Sequence, residues 1–200
     1  MISAIVLAAG RSKRMGQPKM LLPWGETTVL GQVIETLKRT SIDQVIIVTG
    51  GYRSQVEGLA DSYRVQTIHN DGYENGEMLS SLQCGLREIH ESLGNESPSS
   101  DAVLICLGDQ PRIQAEIVQL IVDHYVKTGA DIIIPSYKNR RGHPWLVAKT
   151  HWEEILHLET PQTLRDFLDR HSSAISYINV DDSSIVSDVD TYEDYLKSRP

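Results

Sequence analysis

Only two cysteines, Cys84 and Cys106, and a single phenylalanine occur in 200 residues. Two thiols cannot build the disulfide framework of a small secreted domain. Both fall in apolar patterns, so they are expected as core residues of a reducing cytoplasm rather than as ligands or nucleophiles. Long apolar runs are also missing: the longest, Ala4–Ala9 and Ala102–Leu107, are six residues each. A membrane span needs about 18 or more, so no contact with a bilayer is expected. The basic-then-apolar order of a signal peptide is absent too. The net charge of −8 argues against a nucleic-acid partner, because phosphate backbones call for a basic footprint. Glycine and proline are too sparse for a low-complexity or fibrous chain, and the apolar share of 40% can fill a core. One domain over residues 1–200 is expected at this length.

The charge is unevenly placed. Residues 1–25 carry Arg11, Lys13, Arg14 and Lys19 and no acid. A second acid-free stretch, 132–152, holds Lys138, Arg140, Arg141 and Lys149 with His143 and His151. Asp181, Asp182, Asp188, Asp190, Glu193 and Asp194 form an acidic run near the C-terminus. Basic loops bind phosphate and carboxylates bind Mg²⁺, so this pattern suits a small anionic ligand with a divalent cation. Solubilising surface charge is the plainer alternative.

Apolar, β-branched runs bounded by turn residues predict strands at 2–7, 44–48, 65–69, 102–107, 132–135, 144–147 and 174–180. Helical periodicity predicts helices at 29–38 behind Thr28, at 55–60 behind a capping box of Ser54 and Glu57, and at 78–93. Further helices are expected at 114–127 before Gly129, at 161–170 with Thr160 as cap and Pro161 at the first position, and at 192–197. The stretch 95–100 reads as a surface loop. Alternating strands and helices imply an α/β, doubly wound, three-layer fold around a mainly parallel sheet with right-handed crossovers. Ligands then sit at the carboxyl ends of strands, which directs attention to the loops after Leu7, Leu107 and Pro135.

After Leu7 the chain reads Ala-Ala-Gly-Arg-Ser-Lys-Arg-Met-Gly-Gln-Pro-Lys19. Gly10 and Gly16 give permissive backbone and four cations surround them, which suits a loop that wraps a triphosphate. It is not the dinucleotide fingerprint, since Ser12 stands where the second glycine belongs, nor a Walker A loop, since five residues separate Gly10 from Gly16 and Gln17 replaces the lysine. The pattern Leu-Ala-Ala-Gly-x-Ser-x-Arg-Met-Gly-x-Pro-Lys resembles the signature of nucleotidyltransferases of the molybdenum-cofactor type. That resemblance implies a Rossmann-like nucleotidyltransferase fold. It makes Leu7, Ala8, Ala9, Gly10, Ser12, Arg14 and Lys19 nucleotide-binding, with Arg14 and Lys19 on the phosphates and the Ala-Ala-Gly segment near the base.

The segment Leu107-Gly-Asp-Gln-Pro111 puts Asp109 directly after a buried strand. Such an acid could merely cap the following helix, but Gly-Asp-x-Pro is also the family's pattern here. By resemblance, Asp109 binds Mg²⁺. Magnesium uses one or two carboxylates with substrate oxygens, so a second acid is expected. The run Asp188-Val-Asp-Thr-Tyr-Glu-Asp194 resembles the family's closing Asp-x-Asp-Thr-Pro-Glu-Asp, with Tyr192 in place of proline. Asp190 is the preferred second ligand, Asp188 the alternative, and Asp190 with Glu193 could instead cap the last helix.

Asn70–Glu77 is a polar turn feeding a helix that carries Ser80 and Ser81; Ser80 is a candidate nucleotide contact, or the cap of that helix with Gln83. Arg141-Gly142-His143-Pro144 resembles the Gly-His-Pro turn of the cytidylyl branch and implies an acceptor pocket, in which His143 would meet a phosphate or pterin edge. The resemblance implies Mg²⁺-dependent transfer from a nucleoside triphosphate to the terminal phosphate of a molybdopterin-type acceptor, with pyrophosphate released. Ala9, where guanylyl-transferring relatives tend to carry glycine, favours CTP. A molybdenum hydroxylase would receive the product. The alternatives are a non-catalytic maturation partner of such a hydroxylase and a cytidylyltransferase for another small phosphorylated acceptor. A nicotinamide-dependent redox enzyme is disfavoured by the glycine spacing.

Overall fold

The structure is a computed structural model that describes residues 1–12, 14–74, 78–91 and 100–200. Lys13, the end of the polar turn at 75–77, the end of the helix predicted to reach residue 93 and nearly all of the predicted loop at 95–100 lie outside the described residues.

The first strand, β1 (Ile2–Ala8), is buried along its whole length. Its side chains divide with period two: Ile2, Ala4, Val6 and Ala8 enter one core, Ile5 and Leu7 the other. A strand covered on both faces has no polar side to show, so it reads as an unbroken apolar run. A two-residue hairpin, β2 (Pro23–Trp24) and β3 (Thr27–Thr28), follows, and then α1 (Val29–Lys38). The Thr28 side chain caps α1 by accepting from Gly31 N, as expected. The series continues through β4 (Gln44–Thr49), α2 (Arg53–Ser62), β5 (Gln66–His69), α3 (Met78–Glu91), β6 (Ala102–Leu107) and α4 (Ala115–Thr128). Gly129 ends α4 in the left-handed region at φ 64°. The rest comprises β7 (Ile132–Tyr137), β8 (Arg140–Arg141), β9 (Trp145–Ala148), α5 (Trp152–Leu156), α6 (Leu164–Arg170), β10 (Ile175–Asn179) and α7 (Tyr192–Ser198).

The main sheet runs β10-β7-β9-β6-β1-β4-β5, with β8 beside β7. β9 is antiparallel to both its neighbours, β8 is antiparallel to β7, and all other pairs are parallel. The helices α1, α2 and α4 pack on one face, and α3, α5 and α6 on the other. This is the predicted three-layer, mainly parallel α/β architecture. One detail differs. α4 shares the face of α1 although the chain is then moving the opposite way along the sheet, so β6-α4-β7 has the opposite hand to β1-α1-β4. Its two strands are not neighbours, because β9 lies between them.

Two predicted caps are also corrected. α2 starts at Arg53, and no side chain caps it; Glu57 instead pairs with Arg53 at 2.8 Å. The α6 cap is Thr163, reciprocated by Asp166, rather than Thr160, and Pro161 lies in the loop before it. That linker, 157–163, matters below. Among the described residues no helix is long and apolar enough to cross a membrane. Both cysteines are free, and burial pushes their thiols above the ordinary range, which suits packing rather than chemistry.

Candidate active site

The loops after β1 and β6 leave the carboxyl rim of the sheet side by side, because these two strands are paired in register from Ile2–Ala102 to Leu7–Leu107. The β1 loop begins by touching the β4–α2 turn, where Gly51 N donates to Ala9 O at 3.2 Å. A Cβ on Gly50 would lie 2.3 Å from the same carbonyl, so only glycine lets the two turns approach. Further on, Ser12 O accepts from Met15 N at 2.9 Å and Gly16 N at 3.1 Å, with Gly16 at φ 65°. Ser12 Oγ then accepts from Lys19 N at 3.1 Å. The serine therefore closes the loop on itself and sets where the Lys19 side chain leaves it.

Lys19 Nζ donates to Asp109 Oδ2 and, at 3.2 Å, to Asp190 Oδ1. Arg14 Nη1 reaches the other oxygen of Asp190 at 3.0 Å. Three segments distant in sequence thus meet at one ammonium. The C-terminal segment is fixed there by its backbone: Val189 N donates to Asp109 O at 2.9 Å, and Val189 packs with Trp24, Val29 and Tyr195. Gln110 Nε2 holds Asp188 Oδ1 at 2.6 Å, which sets Asp188 apart from Lys19. Neither acid is spent on a cap, because Thr191 caps α7 with Asp194 as partner and Gln114 precedes α4. Asp190 and Asp109 are free to face the cation.

Burial pushes the Asp109 carboxyl above the usual carboxylate range; Lys19 pulls it back, and Asp188 and Asp190 add to the rise. For Lys19, burial alone would lower the ammonium, yet the two carboxylates carry it above its ordinary value. The two groups are mutually dependent: where they form an ion pair, removing one partner strands the other as a buried charge. Two carboxylates converging on one cation are also the donor set magnesium takes, with substrate oxygens and water completing the shell. Asp109 and Asp190 fit that ion.

Leu7, Ala8 and Ala9, which the resemblance makes nucleotide-binding, turn their side chains into the protein, so any contact of theirs with a nucleotide would be through backbone. All three are buried, Leu7 within the core, and Leu7 O is already taken by Gly108 N at 3.1 Å. They position the loop. Gly10 is open, with nothing near its Cα that a side chain would strike.

Ser80 is placed differently too. It lies in the first turn of α3 rather than at its cap, and Asn70 Nδ2 donates to its Oγ at 3.0 Å. With Arg141, His143 and Trp145 it lines a cleft of about 1010 Å³, whose other wall is the linker between α5 and α6. Ser80 therefore shares this cleft with Arg141 and His143, the residues read as acceptor-binding. Gln83 does not complete a cap; its Nε2 donates to Ile155 O and Leu158 O, both at 2.9 Å, which pins that linker. Arg141 projects between Tyr177 Oη at 2.9 Å and Asp169 at 3.2 Å. Gly142 is required by packing, since a Cβ there would lie 2.6 Å from Ile185 O. Pro144 is buried.

His143 stacks on Trp145 with centroids 4.3 Å apart and planes 15° apart. Burial lowers its pKa to about 4, against opposing effects of the Ile105 carbonyl and Asp109. The ring is neutral at pH 7, so it cannot meet a phosphate as a cation; it can exchange hydrogen bonds with a neutral heterocycle edge or extend a stacking surface. Trp145 and Gln110 escaped the sequence reading. A tryptophan two residues after His143 on a predicted strand would share its face, and that spacing was the available signal.

Residues 4–175 match the MobA-like NTP transferase domain. The chain is 26% identical over 202 residues to the molybdenum cofactor cytidylyltransferase of Escherichia coli K12, covering 99% of this chain and 95% of that protein. It is 31% identical over 147 residues to a probable molybdenum cofactor guanylyltransferase of Methanosarcina mazei, covering 71% and 60%. It is also 28% identical over 199 residues to nicotine blue oxidoreductase of Paenarthrobacter nicotinovorans, covering 96% and 93%. Among solved structures, Rv0371c of Mycobacterium tuberculosis H37Rv superposes with a TM-score of 0.81 at 28% identity, covering 98% and 96%.

Proposed function

From the premise that this chain belongs to the MobA-like NTP transferase family and is a nucleotidyltransferase, we propose that it transfers a cytidylyl group from CTP to the terminal phosphate of a molybdopterin-type acceptor. The observation that carries this reading is Lys19 held between Asp109 and Asp190 at the carboxyl rim. Arg14 and Lys19 exchange their carboxylate partners for the β- and γ-phosphates when a triphosphate enters, and loop N–H groups around Gly10 and Gly16 add donors. Asp109 and Asp190 hold Mg²⁺, which supplies neutralisation of phosphate charge when bound. The acceptor phosphate attacks the α-phosphorus, the bond from that phosphorus to the bridging oxygen breaks, and pyrophosphate leaves with the bonding electrons. The acceptor is already ionised, so no side chain need take its proton; positioning and charge neutralisation are what the protein contributes.

The acceptor lies in the cleft of Ser80, Arg141, His143 and Trp145. A neutral imidazole stacked on an indole favours a flat heterocycle such as a pterin there. Preference for CTP rests on Ala9, where guanylyl-transferring relatives tend to carry glycine. The product then passes to a molybdenum hydroxylase in the cytoplasm.

The test is pyrophosphate release from CTP and GTP with molybdopterin, with and without Mg²⁺, alongside NADH oxidation as a separate arm. Mg²⁺-dependent release that is faster with CTP supports the reading. Faster release with GTP overturns the base assignment. Nucleotide binding without turnover favours a maturation partner, and NADH oxidation without pyrophosphate release would replace the reaction altogether.

A further inference from the structure

The amino rim of the sheet, about 20 Å from Asp109 across a six-residue strand, carries a second cluster of ligating groups. His151 follows β9, Glu154 lies on α5, and His171 ends α6. One ligand atom from each falls within 4.8 Å of the others. His171 Nε2 and Glu154 Oε2 are 2.6 Å apart, and the two imidazoles lie edge to face with centroids at 4.6 Å. His151 Nε2 is shut off from solvent and makes no hydrogen bond; its nearest carboxylate is Asp131, at 3.8 Å. Arg170 occupies only Oε1 of Glu154, at 2.9 Å from Nη2 and 3.2 Å from Nε. Phe167 covers both rings, at 5.7 and 4.8 Å.

These features together describe an ion site. Two imidazoles and a carboxylate are the ligands of zinc-class ions, whereas magnesium takes oxygen. Ligand atoms of a tetrahedral zinc centre lie about 3.3 Å apart, so side-chain adjustment of about an ångström closes the set. The orphaned nitrogen of His151 gains a partner. Arg170 holds the Glu154 carboxylate in orientation, and Asp131 is a further oxygen within reach, both usual supports of a metal ligand shell. We propose that His151, Glu154 and His171 bind a zinc-class divalent ion that ties α5 to the end of α6, the two anchors of the linker that walls the acceptor cleft.

Chelator-treated protein titrated with zinc chloride should melt roughly 5–10 °C higher at a hundredfold excess over the dissociation constant. Cobalt(II) should show the visible ligand-field absorption of a four-coordinate nitrogen and oxygen site. The double variant His151→Gln with His171→Gln should lose both signals and keep pyrophosphate release, while Asp109→Asn keeps both signals. The proposal is overturned by the absence of a saturable zinc response in the native chain, by its survival in the double variant, or by its loss in Asp109→Asn. Should the double variant not fold, Glu154→Gln serves instead, and unchanged zinc affinity there overturns the proposal equally.

Discussion

The two sides of the carboxyl rim are built by different means. Around β1 and β6, Arg14, Lys19, Asp109 and Asp190 form an alternating set of charges, partly buried and mutually neutralised. Around β9, an uncharged imidazole lies flat on Trp145, with Arg141 beside it in the same cleft. The first side suits a ligand whose charge can replace carboxylates one for one. The second offers a flat stacking surface, and its desolvated neutral ring gains little from an anion. Under the function proposed above, charge serves the transfer and the flat surface serves the acceptor.

That division can be broken most severely at Asp109. Asp109→Asn should lower turnover by about 10²- to 10³-fold, the scale on which one preorganised charge acts, while circular dichroism stays native. Near-normal pyrophosphate release in the variant would remove Asp109 from the centre. On the other side, Trp145→Leu should raise KM for the acceptor by roughly tenfold through lost stacking and leave KM for the nucleotide unchanged; equal losses for both substrates would merge the two subsites.

The pH dependence follows from His143. Its folded pKa is depressed from 6.5 to about 4, so the unfolded chain binds the extra proton first. Its contribution to stability is present above pH 6.5 and is lost as pH falls toward 4. Denaturant unfolding across that window should be flatter in His143→Gln than in the native chain. The mildest change is Thr191→Ala, which removes the α7 capping box and should cost about 1 kcal/mol, lowering the melting temperature by about 2–4 °C. Turnover should fall only severalfold, as Asp190 loses part of its support.

The parts of the fold legible in sequence were those with long periods or local chemistry. β1 and β6 announced themselves as apolar runs because both faces are covered, and α1 matched residue for residue because Thr28 caps it and its apolar stripe is uninterrupted. Lys19 and Asp109 were found because the motif and the strand-end position coincide. α5, five residues long, has too few turns to show a period. Thr160 and Thr163 both precede helical sequence, and only the reciprocal Asp166 distinguishes them. For Ser80 the sequence gives the helix it opens, but not the cleft that helix borders. His143 neutrality depends on burial against Ile105 and Trp145, contacts made across the sheet that no local window contains.

Arg14 and Asp190 are separated by 176 positions, and the C-terminal tail is stitched to the rim through Ile185, Asp188, Val189, Asp190 and Tyr195. Contacts so remote in sequence form late during folding and open early under stress, whereas the central strands hold until global unfolding. Catalytic competence and gross architecture therefore have separate thresholds. A preparation aged or mildly denatured enough to release this strap keeps its far-ultraviolet spectrum and its compact hydrodynamic size while turning over nothing.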